Sequence, residues 1–95
     1  MSSGTEKIII ESLKAIYSEL GIEEAVTSKT IIYGPDQGIN SLSLVRLIVD
    51  VEEGVMGSSG KNIVLADDRS LSMKHSPFFS VETLTSYVDS LLKEE

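Results

Sequence analysis

"GINSLSLVRLIVDVEE", residues 38–53, decides how this chain is read. Set at 3.6 residues per turn, its apolar residues fall into two rows rather than one. Leu44, Leu47, Ile48 and Val51, with Val55 a turn further on, make a row sufficient for a core face. Leu42, Val45 and Val49 make a second row, with Arg46, Asp50, Glu52 and Glu53 interspersed or flanking. Two arrangements satisfy this pattern. Either the helix is the buried centre of a bundle with both rows covered, or the second row stays at the surface as a docking strip edged by charge.

The start of the helix favours the second arrangement. Asn40 is suited to the N-cap, its side-chain oxygen accepting the backbone N–H of Leu42 or Ser43, while Ile39 before it can staple to Leu44. Ser41 is then the first helical residue, its hydroxyl beside the positive end of the helix dipole, where a covalently attached phosphodiester is favoured. The plainer reading is a serine that merely suits a helix start. Gly38 either turns the chain or lets another protein's backbone come close.

Working outward, "SGTEKIIIESLKAIYSELG" predicts a first helix, with Ser3 and Glu6 spaced as a capping box and Gly21 ending it. Ile9, Leu13, Ile16, Tyr17 and Leu20 recur on one face. From Ile22 to Ile39 the periodicity dissolves around Gly34, Pro35, Asp36 and Gly38, and this reads as a long loop, a feature that is uncommon unless it packs or carries function. The second helix runs from Ser41 to about Val55, ending near the Gly57 to Gly60 cluster. "KNIVLADDRSLSMKHSPFF" reads as loop plus a short helix through Leu71, capped by Asp67 or Asp68. In the last helix Ser80 is the cap, Phe79 staples onto Leu84, and Val81, Leu84, Tyr87, Val88, Leu91 and Leu92 repeat at helical spacing. The expected fold is all-α: one domain over residues 1–95, a small four-helix bundle of three main helices and one short helix, with a long loop between helices 1 and 2.

Composition narrows the function. With 15 Asp and Glu against 8 Lys and Arg, the net charge of −7 speaks against nucleic acid and for partners with basic patches. The absence of cysteine removes disulfides, thiolate nucleophiles and Cys zinc sites. No apolar run spans a bilayer and "MSSGTEKIII" lacks a secretory pattern, so the expectation is a cytoplasmic monomer with no membrane association.

Catalytic constellations fail one by one. His75 is the sole histidine and reads as structural, so no metal site is expected. "GVMGSSGKN" departs from a phosphate loop: five residues separate Gly54 from Gly60 where that motif has four, and Asn62 stands where Ser or Thr should be, so it reads as a turn. The acidic pairs Glu23-Glu24, Asp67-Asp68 and Glu94-Glu95 read as solvated faces. No hydrolytic triad assembles, and the chain is expected not to be an enzyme.

In this order and spacing, "GINSLSLVRLIVDVEE" resembles the signature of acyl carrier proteins and related peptidyl carriers, Gly-x-Asp-Ser-Leu followed by an apolar helix ending in Glu-Glu. "SPFFSVETLTSYVDSLL" is similar to the Phe-x-x-Val-x-x-Leu of that family's final helix. The resemblance implies that Ser41 is the attachment point of 4'-phosphopantetheine, a covalent arm whose thiol carries acyl groups as thioesters in fatty-acid, polyketide or related biosynthesis. It further implies Gly38, Asn40 and Leu42 as the flanking motif. Leu42, Val45, Arg46, Val49, Glu52 and Glu53 are implied as the surface gripped by a phosphopantetheinyl transferase and by acyl-processing enzymes with basic patches. Two departures stand out. Asn40 replaces the family's usual Asp and supplies no carboxylate, and Arg46 interrupts a commonly acidic face. The alternative is a carrier-like protein that is never modified and serves as an interaction module.

Overall fold

The computed structural model describes residues 3–34, 38–65 and 77–93, and among these the chain forms three helices and no strand. The short helix expected through Leu71, its cap at Asp67 or Asp68, His75, Pro35, Asp36 and the Glu94-Glu95 pair lie outside the described residues.

Helix α1, Ser3–Leu20, places Ile9, Leu13, Ile16 and Tyr17 on one buried face, as their spacing requires. The capping box expected of Ser3 and Glu6 rests on a Ser3 side chain that lies outside those described. The helix ends in a Schellman turn: the Ile22 N–H donates to the Tyr17 carbonyl at 2.9 Å and the Gly21 N–H to that of Ser18 at 3.3 Å. Leu20, expected on the buried face, is exposed instead, because it closes the helix where the chain turns away at Gly21.

Helix α2 spans Ser41–Ser59 and runs a turn beyond Val55. The glycine-rich stretch read as a turn is therefore helical through Ser59. Packing overrides its composition: a Cβ on Gly54 would lie 2.7 Å from Ile8 Cγ2, so this small residue lets α1 and α2 close together. The Ser59 hydroxyl donates to the Val55 carbonyl at 2.8 Å, and Gly60, at φ 76°, ends the helix with its N–H on the Met56 carbonyl at 2.8 Å.

Helix α3 spans Val81–Lys93. Ser80 caps it with a reciprocal pair of bonds, Thr83 N–H to Ser80 Oγ at 3.2 Å and Ser80 N–H to Thr83 Oγ1 at 2.9 Å. The aromatic residue buried at this entry is Phe78, and Phe79, expected as a staple, stands half in solvent.

Among the described helices, α1 packs against both α2 and α3, so it is α1 that sits at the centre. The core joins Ile9 and Leu13 of α1, Leu47 and Val51 of α2, Leu84 and Val88 of α3, and Ile32 and Leu65 from the connections. The long first connection is tied down by isolated bridges, Ile31 to Ser80 and Tyr33 to Gly38, rather than by a sheet. None of the described helices is long and apolar enough to cross a membrane.

Candidate functional site

The tip of α2 is assembled from the connection that precedes it. Ile32, fully buried, donates its N–H to the Phe79 carbonyl at 2.7 Å and accepts the Ile39 N–H at 2.8 Å, so one residue links the entries of α2 and α3. Gly38 makes this possible. Its φ is 97°, and a Cβ there would lie 2.3 Å from the Ile32 carbonyl oxygen, so only glycine fits. The backbone that Gly38 admits is the chain's own, which decides between the two roles the sequence left open for it.

Asn40 caps α2 from extended backbone, φ −76° and ψ 171°, with Oδ1 accepting the Ser43 N–H at 2.8 Å and its carbonyl accepting the Leu44 N–H at 2.9 Å. Ile39, immediately before the cap, is buried, and Leu44 packs half-buried against the core. The cap thus engages the amides of Ser43 and Leu44, leaving those of Ser41 and Leu42 at the positive tip of the helix. Ser41 is the first helical residue and is exposed.

The two rows of α2 part as follows. Leu47, Val51 and Val55 are buried, and Leu44 and Ile48 pack partly buried beside them. Leu42 is 81% exposed, Val45 58% and Val49 44%, so a helix covered on all sides does not describe this protein. The strip also runs further than the sequence indicated: Met56, on the extra turn, is 49% exposed.

The charged residues beside the strip are less free than their spacing suggests. The Arg46 guanidinium donates to the Glu19 carboxylate at the end of α1, and its Nε lies 3.8 Å from Asp50. The bond to Glu19, then its charge and that of Asp50, push the Arg46 pKa above its ordinary value. Arg46 therefore fastens α2 to α1 and its charge is balanced within the chain. Glu52 accepts the Leu65 N–H at 2.8 Å, holding the segment after α2 against the helix, so this carboxylate is engaged inward. Glu53 alone of the two is exposed.

The structure thus brings Gly38, Asn40, Ser41 and Leu42 together at one helix tip and sets Val45, Val49 and Glu53 along one outer face. No family model, curated protein or solved structure matches the chain.

Proposed function

We propose that this protein is an acyl carrier whose cargo arm, 4'-phosphopantetheine, is attached at Ser41, and that it serves enzymes of fatty-acid, polyketide or related biosynthesis without catalysing a reaction itself. One observation carries the reading: an exposed serine hydroxyl on the first residue of a capped helix, at the head of an apolar strip left in solvent. Ser41 and Leu42 supply amide hydrogens and the dipole's positive end to a phosphodiester at the Ser41 oxygen. The arm, when bound, supplies a thiol to which an acyl group is esterified.

The strip is where the chain's own residues do their part. Leu42, Val45 and Val49 offer side chains whose burial is worth about 1.5–3 kcal/mol each when fully covered. Glu53 and the net charge of −7 draw in a basic partner, and like-charged copies of this chain repel. Because Arg46 is balanced by Glu19 and Asp50, the departure from an acidic face adds little positive field to the strip. Long-range attraction of this kind speeds encounter more than it slows release, which suits a carrier passing between enzymes.

The second reading, an unmodified interaction module, is favoured by Asn40: it caps the helix fully but gives a modifying enzyme no carboxylate. Intact-mass measurement after co-expression with a broad-specificity phosphopantetheinyl transferase separates the two. The carrier reading expects a gain of one arm that disappears in Ser41→Ala, and an unchanged mass in the parent chain supports the module.

A further inference from the structure

The last turns of α1 and the segment that follows them border a hollow of about 320 Å³, lined among others by Lys14, Tyr17 and Ser18 of the helix and by Glu23, Glu24 and Val26 of the segment. Residues 22–27 lie outside any helix, so the geometry that turns adjacent helical side chains apart does not apply. Glu23 and Glu24 both line the hollow while both remain exposed.

Exposed carboxylates alone are ordinary surface. What sets this pair apart is Tyr17. It is only 6% exposed, and no hydrogen bond joins its hydroxyl to another residue among those described. A buried tyrosine hydroxyl ordinarily has a partner. Nor is this oxygen sealed in, since among the described residues the enclosed side-chain oxygen that lacks a partner is that of Thr85. A hydroxyl neither bonded nor sealed, on a side chain that lines the hollow, opens into it. Burial, and then the charge of Glu24, push the Tyr17 pKa above its ordinary value, so the phenol keeps its proton with a carboxylate nearby.

The charges select one kind of guest. Helix α1 has no basic residue in its last turn, so nothing there offsets the negative end of its dipole. Among the described residues lining the hollow, Lys14 is the one cation, and it lies 3.9 Å from Glu11, a turn back along the helix. Glu23 and Glu24 have no ion pair among the described residues.

We propose that this hollow binds an alkylammonium or guanidinium group, the chemistry of a lysine or arginine side chain or of a free amine. Glu23 and Glu24 accept its N–H groups and balance its charge, the Tyr17 oxygen accepts a further N–H, and Val26 covers the methylene stem. Charge alone gains little at so exposed a place, and the donated N–H bonds give the site its selectivity. The site is separate from Ser41, and its assignment does not depend on the carrier reading.

The test titrates n-butylguanidinium into the full chain and follows the backbone amides by nuclear magnetic resonance. Tetramethylammonium, of the same charge but with no N–H, is the control at equal ionic strength. Saturable shifts confined to residues 14–26 are expected with butylguanidinium, absent with the control, and lost in Glu23→Gln/Glu24→Gln. Tyr17→Phe keeps the ring and removes the hydroxyl, and should weaken binding several-fold at an unchanged thermal midpoint. Equal shifts with tetramethylammonium, shifts spread over the chain's other acidic residues, or binding that persists in the double glutamine variant overturn the proposal. A second arm separates the two sources by comparing N-acetyl-lysine methylamide with n-butylammonium. Binding of the lysine derivative at least as tight as that of the amine supports a protein side chain as the guest, binding of the amine alone supports a free amine, and binding of neither overturns the site.

Discussion

The inner and outer rows of α2 are built from the same residue types, leucine, isoleucine and valine, and differ in what lies opposite them. Leu47 and Val51 meet the centre of the fold, while Leu42, Val45 and Val49 meet water. The contrast teaches that the apolar content of a helix does not by itself say how much of it is buried: one row of α2 is covered by the rest of the fold and the other is not. The ionic residues obey the same division. Arg46 and Glu52 look like rim charges, yet one holds α2 to α1 and the other holds the segment after α2, whereas Glu53 stays outside.

Substitutions along the two rows should grade in one order. Leu47→Ala, which empties a fully buried site, is expected to cost about 2–5 kcal/mol in chemical denaturation. Glu52→Ala removes the acceptor of the Leu65 N–H beside a buried side chain and should cost about 1–3 kcal/mol, with hydrogen exchange at Leu65 accelerated. Asn40→Ala loses the cap bond to Ser43 and should cost about 1 kcal/mol, while Asn40→Asp keeps the cap and holds stability near the parent value. Val45→Glu should change stability by less than about 0.5 kcal/mol, since its side chain is already in water. A loss at Val45 as large as that at Leu47 would erase the distinction between the rows.

How much of this was readable beforehand follows from the range of each interaction. The Asn40 cap was legible because its partner is three residues away, and the Ser80 cap for the same reason. The periodicity of α2 displayed two rows, but their burial depended on the placement of α1, which no local pattern encodes. The end of α2 was legible to within a turn, near the Gly57 to Gly60 cluster, but the helical state of Gly54 was not, since it rests on a contact with Ile8 in another helix. The inward engagement of Arg46 and Glu52 was not legible, because Glu19 and Leu65 lie 27 and 13 residues from them in sequence. The joining of Ile32 to Phe79 left no trace in the sequence, since it rests on a backbone bond that any residue types make.

The most direct measurement is the rate at which a phosphopantetheinyl transferase modifies Ser41 in the parent chain and in Val45→Glu, read by intact mass alongside the thermal midpoint of each. The account predicts that the parent gains one arm and that Val45→Glu gains it several-fold more slowly at an unchanged midpoint. A parent that gains no mass, or a Val45→Glu chain that unfolds like Leu47→Ala, contradicts it.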